Sequence, residues 1–291
     1  MHNFIRAIGF QHLTSEKRWN QILREMEDNF SEYQIVSLED ELDYCEFKKE
    51  YGDGFGIRSY GHIEADEVYE REHYLPYFEG SGVTTYADVI VEKKRDREAY
   101  IGICEDAKVG VTLMFHILNQ IDVQKDMNIG MLSKCSTSVT LSGLAVGGKI
   151  LLPLLKSEEQ EEKMKEESRN RMMLLSAARK GDSEAIASLT KDDIQTFNQV
   201  VERIKTEDIF SIVESSFIPN GLECDMYSIL GTIIEIDETE NSLTGEKLYV
   251  FTLDVNELIF DVCVPQDGLI GEPQIGRRFK GDIWMQGMIN Y

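Results

Sequence analysis

The chain has 291 residues, with 53 acids against 30 bases and a formal net charge of −23. That length accommodates two or three domains with a real core, and a content of 42% hydrophobic and 29% charged residues excludes a disordered chain. So large an acid excess disfavours nucleic acid as a partner, because such binding draws on Lys and Arg to neutralise phosphates.

No apolar run approaches the roughly 20 residues that span a bilayer. Residues 1–10 lack the long apolar core and small-residue cleavage site of a signal peptide. Five cysteines, Cys45, Cys104, Cys135, Cys224 and Cys263, are scattered with no C-x-x-C pair, so buried reduced thiols are expected. These features point to a cytoplasmic protein with no membrane association.

Residues 4–10 form an apolar opening. Trp19, Ile22, Leu23, Met26 and Phe30 then recur at helical spacing behind Thr14 and Ser15, which suit an N-cap. The Gly-rich stretch 52–61, read as a flexible turn or a strand with close backbone approach, leads into a turn at 64–67 and a returning strand over 68–78, interrupted by Pro76. Residues 86–92 and 99–104 read as a strand pair joined by a charged turn. The run 109–120, apolar and without breakers, reads as a buried helix with His116 as a core or boundary histidine. Residues 138–154 suggest a hairpin, 139–146 against 149–152, turning on Gly147 and Gly148. Residues 1–155 therefore read as an α+β domain.

Composition changes at Lys156. Residues 157–180 are dense in Glu, Lys, Arg, Met and Leu with no Gly or Pro, which predicts an exposed helix; 172–175 are apolar enough to dock. Gly181 suits its stop, and Asp182 can cap a short helix over 185–189. Thr190 to Asp193 approximates a capping box before a further helix through Lys205, and 208–217 reads as a last short helix. Residues 156–216 are thus a helical connector.

Residues 217–291 carry β-branched, apolar runs at 227–236, 247–255, 258–264 and 279–289, separated by polar turns such as 241–245. Gly231 and Gly281 fall inside strand patterns, where glycine marks a bulge or bend. The expectation is a small five-stranded barrel of OB type, giving an α+β chain of three parts. Their net charges are −10, −4 and −9 in order, and the barrel segment holds only four bases. An OB-type barrel here does not bring nucleic-acid binding with it.

Motifs that carry chemistry mostly fail on context. Gly143 to Lys149 matches G-x-x-x-x-G-K, but Ile150 replaces the hydroxyl residue and Pro153 disrupts the helix a P-loop requires. Gly52-x-Gly54-x-Gly56 is not the dinucleotide fingerprint. Glu105 and Asp106 would raise the thiol pKa of Cys104 rather than activate it, and no G-x-S-x-G elbow supports a Ser-His-Asp triad. The best metal or ligand candidates are His62, Glu64, Glu72 and His73; in a hairpin residues of like parity share a face, which could bring His62 and Glu64 together with one or two of the later acids, Glu70 and Glu72. Arg277, Arg278 and Lys280 form a local basic spot, and Trp284 could line a groove, so these four are candidate partner-binding residues.

Segments 1–10, 80–86, 148–153, 276–281 and 284–287 resemble a full-length, uncharacterised family of clostridial Firmicutes, a domain of unknown function. The resemblance implies a bacterial cytoplasmic origin and brings no catalytic residues. The reading favoured by the residues is a non-catalytic module whose C-terminal barrel binds another protein or self-associates, with no cofactor expected. The alternative is a small-molecule or metal-dependent enzyme or binder with its site in the N-terminal domain.

Overall fold

The structure is a computed structural model describing residues 2–39, 42–63, 68–94, 99–106, 112–128, 138–154, 158–204, 208–221 and 223–290. Its apolar start winds into a 3₁₀ helix, Asn3–Ile8, and the expected first helix is α1 (Glu16–Asp28). The Ser15 hydroxyl caps α1 by accepting from the Arg18 amide at 3.3 Å. Trp19, Ile22, Leu23 and Met26 are all buried, so the helical spacing is the spacing of a core face.

Four antiparallel strands follow in sequential order: β1 (Glu32–Glu39), β2 (Leu42–Gly52), β3 (Phe55–Ile63) and β4 (Tyr69–Phe78). Of the two readings of the Gly-rich stretch, the closely approached strand holds for most of it, as β3. Glycine there serves close backbone approach: a Cβ at Gly56 would lie 1.9 Å from the Lys49 carbonyl oxygen, and one at Gly61 2.1 Å from that of Glu70. Pro76 does not interrupt β4, because β4 is the sheet edge and the missing N–H breaks no ladder bond.

The second sheet begins with β5 (Thr85–Tyr86), β6 (Ile90–Lys93), β7 (Tyr100–Glu105) and β8 (Thr112–Ile117). Strand β8 corrects the helix expected over 109–120. Leu113, Phe115 and Ile117 enter the core while His116 is buried on the other face, and burial on both faces erases the alternation that announces a strand. Helix α2 (Gln120–Asn128) starts only where that run ends. Strands β9 (Ser138–Ala145) and β10 (Gly148–Leu151) are not paired with each other. The expected hairpin is replaced by a shared neighbour, the 13-residue strand β16 (Arg278–Asn290), which takes β10 along its first residues and β9 along its last.

Helices α3 (Glu158–Arg179) and α4 (Ser183–Ile204) form a helical hairpin that turns at Gly181, whose φ is 87°. Asp182 caps α4, accepting from the Glu184 and Ala185 amides at 2.9 and 3.2 Å. Two helices were expected where α4 is continuous, since the Thr190 hydroxyl bonds back to the Ile186 carbonyl instead of capping a new start. A short α5 (Ile209–Ile212) and strand β11 (Ser216–Pro219) share the segment expected to be one helix. Among the described residues no helix is long and apolar enough to cross a membrane.

Strands β12 (Met226–Glu240), β13 (Lys247–Val255) and β14 (Leu258–Pro265) form an antiparallel meander, followed by the short β15 (Leu269–Ile270). Strand β14 pairs in parallel with β9, β9 pairs antiparallel with β16, and β16 pairs antiparallel with β12. These pairings close a ring of five strands, four from the C-terminal region and one from residues 138–145. The core running through this ring includes Leu141, Ile229, Phe251, Val262 and Ile283.

The two sheets meet along β4. Gln286, fully buried on β16, accepts from the Phe78 amide and donates to the Pro76 carbonyl, both at 2.9 Å. Ser142 on β9 donates to the Phe78 carbonyl. Asp261 on β14 accepts from the Ser81 amide and hydroxyl, each at 2.7 Å, just beyond the strand end. The ring thus supplies side-chain partners for the open edge of β4. Replacing Gln286 with Leu leaves two buried backbone groups without partners and should destabilise the fold by about 2–4 kcal/mol. Equilibrium urea unfolding measures this, and a variant as stable as the parent would contradict the role assigned to the seam.

Candidate functional site

The sequence-predicted hairpin pair does form. Strands β3 and β4 align His62 with Glu70, and a bulge at Tyr60/Gly61 brings the imidazole Nε2 of His62 to 2.9 Å from Glu72. His73 instead stacks on Tyr60, with ring centroids 4.9 Å apart. Glu64 lies outside the described residues. Among the described residues no group of three or more His, Cys, Asp or Glu side chains is arranged to hold a metal ion.

The four candidate partner-binding residues occupy different environments. Arg278 is buried and donates to the carbonyls of Leu152, Val213 and Phe210 at 2.7–3.0 Å, tying β16 to α5 and to the residue after β10. Arg277 donates to the Glu272 carbonyl, and the ammonium of Lys280 lies 5.0 Å from the Phe210 ring. Trp284 is buried further along β16 and lines a cleft of about 900 Å³.

That cleft holds the candidate site. Asp225, just before β12, is its polar centre and is itself 0% exposed. Its Oδ2 accepts from the Trp284 indole at 3.0 Å and from Lys94, at the end of β6, at 3.1 Å. Its backbone carbonyl accepts from the Met285 amide, so the residue is clamped to β16. Its Oδ1 is buried and has no hydrogen-bond partner among the described residues. A buried carboxylate oxygen left open is costly, and this one sits in a wall of the cleft.

Aromatic rings build the neighbouring wall. His2, Phe4 and His116 lie 4.9, 5.8 and 5.2 Å from the Trp284 ring. His2 is positioned by the 3₁₀ helix it caps, its Nδ1 accepting from the Phe4 amide. Burial, reinforced by Lys94 and by His73 and His2, pushes the His116 pKa well below the usual 6.5, so this imidazole is neutral at physiological pH. Cys224 also lines the cleft and is exposed, unlike the buried thiols Cys45, Cys104 and Cys263; Cys135 lies outside the described residues. Partial burial and the Asp225 carboxylate push the Cys224 pKa up, so it remains a thiol.

A family model described as a domain of unknown function, from an E. rectale gene, matches residues 5–287. The chain belongs to this family. No curated protein and no solved structure matches it. The match runs across both sheets and the helical hairpin and includes Lys94, His116, Asp225 and Trp284 of the cleft, whereas His2, Asn3 and Phe4 precede it.

Sequence reasoning reached Trp284 as a groove-lining aromatic but missed Asp225 and Lys94. Each is one charge among many, with no spacing to single it out; only the sheet, in which β12 pairs with β16 and β6 follows β16 through β8 and β7, brings them together. The depressed pKa of His116 has a measurable consequence. Below pH 6.5 the unfolded imidazole takes up a proton that the folded one refuses, so stability is retained above 6.5 and lost as pH falls toward the folded value. The slope should approach about 1.4 kcal/mol per pH unit. His116→Gln should flatten this limb in chemical denaturation at a series of pH values, and an unchanged profile would show that His116 is not the group concerned.

Proposed function

We propose that this is a non-catalytic binding protein whose cleft takes a small polar molecule. The ligand presents an N–H or O–H donor to Oδ1 of Asp225 and a flat or apolar portion to Trp284, His2 and Phe4. The observation that carries this reading is the unpartnered, fully buried carboxylate oxygen in a cleft large enough for a small ligand. Lys94 balances the charge of Asp225 on the other oxygen and leaves the open one as an acceptor.

Support for binding rather than catalysis comes from the groups that might do chemistry. The Cys224 thiol is held protonated and so is a poor nucleophile. His116, with its depressed pKa, is a weak base. No cofactor is part of this reading. For the five-stranded ring we propose an OB-like barrel, supported by its meander of three strands and its single parallel pairing. Its ligand site on this reading is the cleft beside β16, with no nucleic-acid groove. A barrel-borne protein interface has less support, because Arg277, Arg278, Lys280 and Trp284 share no surface.

The test is native mass spectrometry of protein purified without added ligand, followed by fluorescence titration with small N–H and O–H donors. Trp19 and Trp284 are the two tryptophans, so a Trp19→Phe background isolates the cleft emission. Asp225→Ala should weaken any molecule that binds by about tenfold or more, the effect of removing one charge-assisted hydrogen bond. Equal affinity in the variant, or no saturable response across the donors, would overturn the proposal.

A further inference from the structure

Helices α3 and α4 stand apart from the two sheets in how they are stabilised. They pack on each other, and α4 also packs on α5. Arg171 and Asp193, 2.7 Å apart, tie the pair together, and Ala185 and Leu189 supply buried residues. Yet Met173, Ile186 and Ile194 remain 67, 49 and 57% exposed. Ile186 and Ile194, eight positions apart, belong to one stripe of α4. Large apolar side chains left in water on both helices make a surface suited to a partner.

Charge identifies that partner. Residues 158–167 of α3 hold six acids against two lysines, a net charge of −4. Residues 168–180 hold Arg169, Arg171, Arg179 and Lys180 and no acid, a net charge of +4. An acidic start and basic end suit the helix dipole, but that effect is confined to the first and last turns. Glu166, Glu167, Arg169 and Arg171 sit mid-helix, so the division into two halves asks for a different explanation. A helix of this kind is complementary to its own reverse. Laid antiparallel over a second copy, each acidic half faces a basic half, which is the self-complementarity a two-fold interface requires.

We propose that the α3–α4 hairpin is a self-association arm. Two copies pair with their α3 helices antiparallel, and the two hairpins build a four-helix bundle that covers Met173, Ile186 and Ile194. The partner is a second copy of this chain, and the arrangement is independent of what the cleft binds.

Two charge-reversed full-length chains test this. One carries Arg169→Glu, Arg179→Glu and Lys180→Glu, leaving the Arg171–Asp193 pair of the hairpin intact; the other carries Glu158→Lys, Glu159→Lys, Glu166→Lys and Glu167→Lys. In sedimentation velocity the parent should be a dimer, and each variant alone should self-associate about tenfold or more weakly, since its like-charged halves now face each other. An equimolar mixture should restore the dimer as a heterodimer. Salt titration of the parent needs no variant and should dissociate the dimer as screening lengths shorten. A parent that is monomeric throughout, a dimer indifferent to salt and to both reversals, or a mixture that fails to pair would each overturn the proposal.

Discussion

The open edge of β4 is the constraint on which the rest of the structure depends. Its outward groups at Pro76 and Phe78 are buried and must be paired. Pairing them with another strand would demand a matching register along the whole edge. The chain instead uses two side chains, Gln286 and Ser142, to satisfy two carbonyls and one amide. Gln286 and Ser142 are direct register partners on β16 and β9. The pair that secures the first sheet therefore lies on the seam that closes the ring of strands, and the two parts share one polar lock.

The cleft is a product of that lock. Fixing β4 against β16 brings Leu75 and Trp284 to the same concave surface, and the N-terminal 3₁₀ helix adds His2 and Phe4 above the indole. Asp225 then arrives on the segment that leads into β12, held by its own carbonyl bond to Met285. Each wall comes from a different stretch of sequence, which is why the site has no local motif. The same economy appears at Arg278, whose guanidinium serves three backbone carbonyls, two at α5 and one just after β10, rather than a surface partner. In a chain of net charge −23, both Arg278 and Lys94 are used to satisfy internal oxygens.

What could be read from the sequence was what local pattern governs. The helical stripe of α1, the exposed α3 with its Gly181 stop, and the four C-terminal strands are one-sided or punctuated, so period and turn chemistry reveal them. Strand β8 was misread because both its faces are buried. For the glycines of β3 local pattern leaves turn and closely approached strand open, and only the backbones of Lys49 and Glu70 on the neighbouring strands decide between them. The non-pairing of β9 with β10 was hidden for a different reason. Proximity in sequence favours a hairpin, and only the length of β16, a strand more than 120 residues downstream, makes a shared neighbour the better solution. For the site, an aromatic on a strand was a visible hint at Trp284, whereas Asp225 gains its meaning from burial and from one unfilled lone pair.

Residues 138–145 pair with β14 on one side and β16 on the other, so both parts of the chain should open as one unit around the ring. Native-state hydrogen exchange tests this most directly, because amides that open together report a common free energy. The account predicts that amides of Val139 to Ala145 share the protection and denaturant dependence of those in Leu258–Pro265 and Arg278–Asn290. If β9 instead exchanges independently of β14 and β16, at a lower opening energy, the ring is not closed by that strand and the cleft loses the frame described here.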